Sequence, residues 1–468
     1  MLKNSAKFNY EDLFVVFGNN ALHNIRHNIK CKSIIIDSRE LDKNKSSNGE
    51  GDIFIALMGS KIDGHSKVVQ ALNEGAILAV VNKSWYDNNE SICKNLPLII
   101  VKNTEIALAE LAQFHRNRFE IPIIAVAGSN GKTTTKELIA RVLEKKFTTL
   151  KTHKNFNNQL GVPLMLLQLD NSYQAMVIEI ATNSMGEIDF LSNIVNPTHG
   201  IITNIGKEHL EFLGDLNGVE LEETALFSFL HKNNKIAFIN TDDKRLIKYS
   251  KVVENHIAYG KIKYVQLRYN YKLDENSLPN IEFDNEGKKF NVKLKLPGYP
   301  AVINATAAAI IGLSLDISVE DVVSALEGYS APNDNTYGRL LIEEINGVKV
   351  INDCYNANPS SVSAALDMLN EIKVTGKKYA VLGDMLELGE TTEIEHKIVL
   401  DKAEKIADKI FTFGEMFKSI RNKNKFALSY LVKEEINSVL KAEVKKGDLI
   451  LVKGSRSMKM EEVIQSLK

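Results

Sequence analysis

A glycine-rich loop followed by lysine and threonine is the residue pattern with the clearest chemistry in this sequence. The apolar run 121–127 leads into Gly128-Ser129-Asn130-Gly131-Lys132-Thr133-Thr134, and the helix-forming stretch 136–146 follows. In such a loop the glycines let backbone N–H groups close around phosphate oxygens, the lysine supplies a mobile cation, and the next hydroxyl can ligate Mg²⁺. We therefore predict a nucleoside triphosphate site, with Lys132 as a catalytic cation and Thr133 as a metal ligand.

Two further side chains near apolar runs could complete such a site. Phosphoryl transfer commonly uses Mg²⁺, which prefers oxygen ligands. Glu179 ends the apolar run 175–178, and His209 lies in the polar segment 203–210. A glutamate after a strand or a histidine in a turn is more often structural, so these residue types alone leave the metal site open.

The composition excludes several classes of function. The 468-residue chain has a formal net charge of −1 at pH 7, which provides no broad positive surface for nucleic acid or an anionic membrane. Its 3 cysteines lack C-x-x-C spacing, and no apolar run approaches a membrane span. The first residues lack a signal-peptide core. We expect a cytoplasmic protein with reduced thiols that acts on small molecules as a monomer.

The elements that position these residues are expected to form an α/β protein of three domains. Chain length predicts about three domains of roughly 150 residues, which we place at 1–118, 119–330 and 331–468. Strands that alternate with helices predict mostly parallel sheets. The predicted strands lie at 33–36, 52–57 and 76–81 in the first domain, at 121–127, 175–178, 200–202 and 235–239 in the second, and at 348–351, 378–382, 409–412 and 448–452 in the third.

Four other segments complete the expected architecture. Residues 42–51 are polar and predict a loop. At 265–296, charged and apolar residues alternate between Asn, Asp and Gly turns, which predicts an antiparallel excursion. An Ala-rich helix is expected at 303–315, and a domain boundary at 330–335. The third domain should be Rossmann-like, but no G-x-G-x-x-G follows its first strand, so dinucleotide binding is not expected.

Motifs in all three domains resemble those of one enzyme family. The third domain carries Gly338-Arg339, the run 353–361 (D-C-Y-N-A-N-P-S-S), and the segments 383–389 (G-D-M-L-E-L-G) and 453–456 (K-G-S-R). The first domain carries Asp37-Ser38-Arg39, the run 51–57 (G-D-I-F-I-A-L) and Asp63-Gly64-His65. With the shortened glycine loop, they resemble the Mur ligase family, and within it the members that add D-alanyl-D-alanine.

The resemblance implies an activity and a mechanism. An ATP-dependent amide ligase would add D-alanyl-D-alanine to UDP-N-acetylmuramoyl-tripeptide in peptidoglycan precursor synthesis. Joining a carboxylate to an amine needs a better leaving group than oxide, and phosphorylation by ATP to an acyl phosphate provides one. The implied domains are a small uridine-nucleotide-binding domain, a central ATPase domain with the phosphate loop, and a Rossmann-like ligase domain.

The resemblance also implies ligands for ATP and Mg²⁺. It gives residues 128–134 to the phosphates, Asn304 to the adenine, Asp353 to the ribose, and Arg339, as a catalytic residue, to the γ-phosphate. Because Arg339 and Asp353 lie beyond the second boundary, the third domain must close onto the second. Thr133, Glu179 and the catalytic His209 match the family's metal positions.

Substrate-binding residues are expected from all three domains. By resemblance they are Ser38, Arg39, Asp63, Gly64, His65, Asn157, Asn158, Asn183, Tyr355, Asn356 and Asn358. By their charge alone, Lys453 and Arg456 are candidates for the carboxylate of the incoming dipeptide.

The sequence departs from the family pattern at several positions. Ala181 stands where a glycine is usual, Ser184 where a histidine is usual, and Pro300-Ala301 replaces a His-Asn pair. Glu223 stands where the family generally has a carbamylated lysine that helps to hold a second Mg²⁺. Three interpretations stay open: Glu223 supplies the carboxylate itself, water replaces it, or Glu220, Glu222 and Glu223 form a solvated acidic face.

Two other functions remain to be distinguished from the favoured one. A folylpolyglutamate-synthase-like ligase would share the glycine loop but would not require the 37–39 motif of the first domain. A non-catalytic nucleotide-binding scaffold is disfavoured because Lys132, Thr133, Glu179, His209, Arg339 and Asp353 are all present. The sequence leaves open whether the third residue of the tripeptide is L-lysine or meso-diaminopimelate.

Overall fold

The computed structural model describes residues 4, 6–41, 49–59, 62–331, 338–420 and 427–468. Most of the predicted loop at 42–51 and of the predicted boundary at 330–335 lies outside these residues. The chain forms two compact units. One comprises Met1–Ala125, Phe147–Ala181 and Asp189–Thr198, and the other comprises Val126–Lys146, Thr182–Ile188 and His199–Lys468. Among the described residues, no helix is long and apolar enough to span a bilayer.

The first sheet has six strands in the order β1-β3-β4-β5-β6-β2. Strands β3 to β6 are parallel, and the two-residue strands β1 and β2 pair antiparallel at the edges. The strands are β1 (Phe8–Asn9), β2 (Leu22–His23), β3 (Lys30–Ile35), β4 (Glu50–Ile55), β5 (Ala76–Asn82) and β6 (Leu98–Val101). The helices are α1 (Tyr10–Phe17), α2 (Val68–Glu74), α3 (Lys83–Asn88), α4 (Glu90–Cys93) and α5 (Thr104–Arg116).

One predicted loop in this sheet ends earlier than expected. Glu50 and Gly51 belong to β4, where they pair with Lys30 and Cys31 of β3. A side chain at Gly51 would collide with Ile77, since its Cβ would lie 2.6 Å from that residue's Cγ2. The glycine therefore serves close packing within the sheet and not a turn.

The second sheet has nine strands in the order β15-β14-β13-β12-β11-β10-β7-β9-β8. The strands are β7 (Ile123–Ala127), β8 (Thr149–Lys151), β9 (Ala175–Glu179), β10 (His199–Ile202), β11 (Ile236–Asn240), β12 (His256–Gly260), β13 (Leu267–Leu273), β14 (Pro279–Asn285) and β15 (Lys288–Lys293). Strands β13, β14 and β15 pair antiparallel, which confirms the predicted excursion. The parallel pairs include β8 with β9 and the series β10 to β13.

Eight helices accompany the described part of this sheet. They are α6 (Lys132–Leu143), α7 (Gly161–Leu166), α8 (Glu187–Val195), α9 (Leu210–Leu213), α10 (Leu216–Glu223), α11 (Ala225–Lys232), α12 (Gly298–Ser314) and α13 (Val319–Glu327). Helix α12 begins five residues before the predicted start at Ile303. Pro300 is compatible with this because the N–H groups of a first helical turn have no partner within the helix.

The third sheet has six strands in the order β16-β17-β21-β18-β19-β20. Among the described strands only β16 is antiparallel to its neighbour, so the sheet is Rossmann-like as predicted. The strands are β16 (Leu341–Ile345), β17 (Val348–Asp353), β18 (Lys378–Gly383), β19 (Lys409–Phe413), β20 (Ala427–Tyr430) and β21 (Leu449–Lys453). The helices are α14 (Pro359–Glu371), α15 (Thr392–Ala403), α16 (Glu415–Ile420), α17 (Lys433–Glu443) and α18 (Glu461–Leu467).

Candidate nucleotide and ligase site

The glycine loop lies between the fully buried strand β7 and helix α6. Gly128 and Gly131 have φ angles of +109° and +81°, a region that favours glycine. A Cβ at Gly128 would lie 2.4 Å from Oγ1 of Thr203, and one at Gly131 would lie 2.8 Å from Oδ1 of Asn304. The loop therefore requires glycine for both its conformation and its space. Helix α6 begins at Lys132, so its first turn, with Thr133 and Thr134, lies at the loop.

Hydrogen bonds connect the loop to the segment after β10 and to the run 353–361 at the end of β17. Oγ of Ser129 accepts from the N–H of Gly206 at 2.8 Å, and Oδ1 of Asn204 accepts from the N–H of Asn130 at 3.1 Å. The side-chain amide of Asn358 donates to Oδ1 of Asn130 at 3.0 Å. The family-like run 353–361 thus contacts the glycine loop directly.

Lys132 is held at the loop by two interactions. Its Nζ donates to the carbonyl oxygen of Gly128 at 2.5 Å and lies 3.6 Å from Oε2 of Glu208. Its side chain is mostly buried. The positive charge of Lys132 is therefore held at the loop, where it can stabilise negative charge on a ligand.

Glu223 contacts the glycine loop at Gly128, the residue that follows β7. The side chain is fully buried, and its Oε2 accepts from the backbone N–H of Gly128 at 2.7 Å. Burial raises the pKa of Glu223 to about 8; Lys132 opposes this shift and the neighbouring carboxyl of Glu208 adds to it. Oε1 of Glu223 and Oε1 of Glu208 are buried and accept no N–H group from the described residues, and the two carboxyl groups are hydrogen-bonding neighbours.

Of the three open interpretations of the acidic run, the structure excludes the solvated acidic face, because all three glutamates are buried. Glu220, Glu222 and Glu223 are 6%, 1% and 0% exposed, whereas Leu221 between them is 65% exposed. Glu220 and Glu222 have partners that compensate for their burial, whereas Glu223 is compensated only in part. Glu220 pairs with Arg245 and Lys248, Glu222 accepts two backbone N–H groups, and Glu223 accepts one.

His209 contacts the third sheet's region. Its φ of +48° is left-handed, and its Nδ1 lies 2.6 Å from Oε2 of Glu387. The carbonyl oxygen of Glu387 accepts from the N–H of Glu211 at 3.1 Å. Nearby, Nζ of Lys207 donates to Oε1 of Glu395 at 2.5 Å. These contacts join the segment 207–211 to the residues after β18.

Glu179 and Asn157 lie together in the first compact unit. Glu179 is buried, and its Oε1 accepts from the side-chain amide of Asn157 at 2.8 Å. Oδ1 of Asn158 accepts from the N–H of Gly161 at 2.9 Å, so this side chain supports the turn into α7. Within the described ranges, no three His, Cys, Asp or Glu side chains are close enough to hold a metal ion by themselves.

The segment before α8 holds Asn183. Oε2 of Glu187 accepts from the N–H groups of Asn183 and Ser184 at 2.6 and 3.3 Å. Both oxygens of Glu222 accept from the next part of the segment, with the N–H of Gly186 at 2.6 Å and that of Ile188 at 2.7 Å. The conformation of this segment is therefore set by two carboxylates.

Lys453, a candidate for the dipeptide carboxylate, lies in an ion pair in the structure. Its side chain is buried, and its Nζ donates to Oδ2 of Asp353 at 2.5 Å and to the carbonyl oxygen of Asn356 at 2.8 Å. Because this charge is already neutralised, Lys453 positions Asp353 and is not a free cation. Arg456 is half-exposed and pairs with Glu461 at 3.1 Å.

Arg339 and Tyr355 form a stacked pair. The guanidinium carbon of Arg339 lies 3.7 Å from the centre of the Tyr355 ring. The Nε atom of Arg339 is buried without a hydrogen-bond partner among the described residues. Asn304 is buried beside Gly131. A buried guanidinium donor is suited to an anionic ligand.

The candidate residues of the first domain differ in exposure. Arg39 is 87% exposed and its guanidinium pairs with Asp37 at 2.5 Å, which lowers the pKa of Asp37 to about 2. His65 is buried: its Nδ1 lies 2.7 Å from Oδ1 of Asp63, and its Nε2 accepts from the N–H of Asn82 at 2.9 Å. His65 therefore stabilises its turn, and contact with a ligand is better supplied by Arg39.

Ser38 and Gly64, the other two candidates in this part of the first domain, are closely packed. Ser38 is buried. A Cβ at Gly64 would lie 2.7 Å from the carbonyl oxygen of Leu57, so the backbone approaches too closely for any other residue.

Sequence reasoning missed three residues that shape the site. Asn204 and Glu208 flank the glycine loop and Lys132, and Glu387 contacts His209. The signals were present: Asn204 and Glu208 share the polar segment 203–210 with His209, and Glu387 lies in the run 383–389. Their partners, however, are distant along the chain.

Fold and site together define an α/β protein with a glycine loop for nucleotide phosphates, contacted by a Rossmann-like domain. Family models match three parts of the chain: the Mur ligase family, catalytic domain, at residues 31–116, the Mur ligase middle domain at 126–312, and the Mur ligase, glutamate ligase domain, at 338–456. The chain is 33% identical over 450 residues to UDP-N-acetylmuramoyl-tripeptide--D-alanyl-D-alanine ligase of Bacillus subtilis, covering 93% of this chain and 92% of that protein.

Solved structures agree with these matches. Crystal structure I of MurF from Acinetobacter baumannii superposes with a TM-score of 0.87 at 28% identity, covering 98% of both chains. MurF ligase from Thermotoga maritima in complex with ADP gives a TM-score of 0.80 at 27% identity, covering 93% of this chain and 96% of that one. The chain belongs to the Mur ligase family, and the predicted three-domain α/β fold is confirmed.

Proposed function

We infer that this chain is an ATP-dependent ligase that adds D-alanyl-D-alanine to UDP-N-acetylmuramoyl-tripeptide in peptidoglycan synthesis. The observation that carries the inference is the hydrogen bond from Asn358 to Asn130, which brings the run 353–361 onto the glycine loop. The full-length similarity to curated ligases of this name supports it. A folylpolyglutamate-synthase-like activity is the alternative, and the matched first domain does not favour it.

The reaction proceeds in two steps, phosphorylation of the carboxylate and attack by the amine. A carboxylate oxygen of the tripeptide attacks the γ-phosphorus of ATP, and the bond to the β–γ bridging oxygen breaks to release ADP. The amine of D-alanyl-D-alanine then attacks the acyl carbon, loses a proton and displaces inorganic phosphate. Both steps concentrate negative charge near the transferred phosphoryl group, which Lys132 is placed to stabilise.

The proposed ATP ligands come from the second and third domains. Residues 128–134 hold the phosphates, Asn304 the adenine, Asp353 the ribose and Arg339 the γ-phosphate. Support comes from the loop's two left-handed glycines and from the buried, unpartnered Nε of Arg339. Lys453 keeps Asp353 in place. Contact of the run 353–361 with the glycine loop would exclude water from the acyl phosphate.

The residues also fit Mg²⁺. The buried Oε1 atoms of Glu223 and Glu208, which accept no N–H group from the described residues, are suitable donors for a hard cation. We propose that Thr133, Glu179, His209 and Glu223 hold the metal, directly or through water, and that Glu387 orients the catalytic His209. Bound Mg²⁺ would neutralise charge on the phosphate oxygens.

Substrate contacts are proposed on two groups of residues. Ser38, Arg39, Asp63, Gly64 and His65 would form the uridine-nucleotide site, with His65 acting through the turn that it stabilises. Asn157, Asn158, Asn183, Tyr355, Asn356, Asn358 and Arg456 would serve the peptide parts of the substrates. We propose domain boundaries at 118/119 and 330/331, consistent with the family matches that end at 116 and begin again at 126 and 338.

Product analysis tests this function. Purified protein is incubated with ATP, Mg²⁺, D-alanyl-D-alanine and either the L-lysine or the meso-diaminopimelate form of the UDP-tripeptide. Mass spectrometry should detect the UDP-pentapeptide with at least one tripeptide, and the better substrate identifies the third residue. No pentapeptide with either tripeptide would contradict the proposal.

A further inference from the structure

Helix α10 carries three glutamates that hold three different parts of the protein. Glu220 pairs with Arg245 and Lys248, outside the site. Glu222 accepts from the N–H groups of Gly186 and Ile188. Glu223 accepts from the N–H of Gly128 in the glycine loop. Successive helical residues point about 100° apart, so neighbouring glutamates reach separate elements.

Glu222 is well suited to fix the segment before α8. Its carboxylate is 1% exposed and uses both oxygens, at 2.6 and 2.7 Å, for two N–H groups at the start of that helix. Helix N-terminal N–H groups have no partner within the helix and favour a negative charge. Charge-assisted hydrogen bonds of this kind are stronger than neutral ones. The segment contains Asn183, which we assign to substrate binding.

Glu223 fixes the glycine loop through a single hydrogen bond. Its bond to the N–H of Gly128, at 2.7 Å, holds the first residue of the loop, and no solvent competes because the side chain is fully buried. Gly128 has little freedom to move elsewhere, since it packs against Thr203.

We propose that Glu222 and Glu223 are paired positioning residues, with Glu222 setting the substrate segment 183–188 and Glu223 setting the ATP loop. Their adjacency in α10 gives the two elements one common support. This assignment of effects to substrates rests on the proposed function. The hydrogen bonds that underlie it do not.

Crossed kinetic effects test the proposal at saturating Mg²⁺. Glu222→Ala should raise the KM for the UDP-tripeptide by about tenfold, the typical effect of losing charge-assisted hydrogen bonds, and leave the KM for ATP within about twofold. Glu223→Ala should do the reverse. Glu223→Gln keeps an acceptor for Gly128 and can donate its amide to Glu208, so it should restore the KM for ATP.

Two controls separate positioning from general damage. Glu220→Gln lies on the same helix and should leave both KM values unchanged. If either alanine variant fails to fold, Glu222→Gln and Glu223→Gln carry the test, because each retains one acceptor oxygen. For Glu222→Gln, one of the two N–H groups loses its partner, so an intermediate rise in the KM for the UDP-tripeptide is expected. Equal rises of both KM values in Glu222→Ala would overturn the proposal.

Hydrogen exchange of the full-length protein without ligands provides a readout that does not depend on activity. Amide exchange should accelerate at 186–188 in Glu222→Ala, and at 128–131 in Glu223→Ala, with the opposite segment unchanged. If wild-type protein forms no pentapeptide but this exchange pattern holds, the proposed function fails while the positioning contacts stand. Unchanged exchange in both variants would refute the positioning roles.

Discussion

Lys453 and Asp353 form a buried ion pair at the ends of two neighbouring parallel strands. Nζ of Lys453 lies 2.5 Å from Oδ2 of Asp353, and the two residues are paired in register between β21 and β17. The N–H of Leu340 donates to the other carboxylate oxygen at 3.1 Å. The pair therefore fixes Asp353, the proposed ribose ligand, beside the residues that follow Arg339.

Breaking this pair should destabilise the third domain. Lys453→Met removes the cation and leaves Asp353 buried without its counter-charge, which costs about 3 to 5 kcal/mol. Urea unfolding followed by circular dichroism measures the loss. Arg456→Ala is the matched control, since that half-exposed side chain should change stability by less than about 0.5 kcal/mol. Equal stability of Lys453→Met and wild type would contradict the buried pair.

Lys132→Ala should abolish turnover while preserving affinity for the UDP-substrate. The lysine contacts the glycine loop and stabilises charge mainly during phosphoryl transfer, so kcat should fall at least about a hundredfold, or roughly 3 kcal/mol. Calorimetry with the UDP-tripeptide measures binding separately. Arg141→Ala, an exposed change on the same helix, should behave like wild type. Normal turnover of Lys132→Ala would remove the lysine from the mechanism.

Arg39→Ala should raise the KM for the UDP-tripeptide far more than it lowers kcat. The exposed guanidinium is already oriented by Asp37, and its proposed contact is remote from the reacting carboxylate. It should thus contribute uniform binding, with a rise in KM of about tenfold. Lys32→Ala, an exposed change on the preceding strand β3, is the control. A large kcat defect with an unchanged KM would argue against a uridine-nucleotide contact.

Glu223→Gln should increase the Mg²⁺ concentration needed for half-maximal activity. The substitution keeps an acceptor for Gly128 but removes the carboxyl oxygen that would become anionic on binding the metal. Glutamate needs no CO₂ to become anionic, so wild-type activity should be insensitive to bicarbonate. Glu223→Lys should become bicarbonate-dependent if the pocket admits the longer side chain. A Mg²⁺ titration of Glu223→Gln that matches wild type would exclude the metal role.

The sequence predicted the central elements of the fold but not its edges. Long apolar runs such as 121–127 predicted buried strands, because central parallel strands are apolar on both faces. Strands β1 and β2, with two residues each, and β16 and β20 at the sheet edges are too short or too polar to produce such a run. The position of α12 was shifted because Pro300 was not expected inside its first turn.

The candidate site was predicted only where its chemistry lies within a few consecutive residues. Local motifs identified residues 128–134, because the loop's chemistry is contained within a few consecutive positions. The acidic run on α10 was ambiguous, since its charge pattern does not show which backbone N–H groups it meets across the fold. The ion pair of Lys453 was not predicted, because its partner Asp353 lies 100 positions earlier in the chain.

The most direct test of the central claim is whether ATP cleavage requires both the UDP-tripeptide and D-alanyl-D-alanine. Phosphate release is followed with ATP and Mg²⁺ in the presence of the UDP-tripeptide alone, D-alanyl-D-alanine alone, both together, or folate with glutamate. We predict sustained release of ADP and phosphate, in one-to-one ratio with the pentapeptide, only when the tripeptide and the dipeptide are both present. Sustained ATP turnover with folate and glutamate, and none with the tripeptide and dipeptide, would contradict the account.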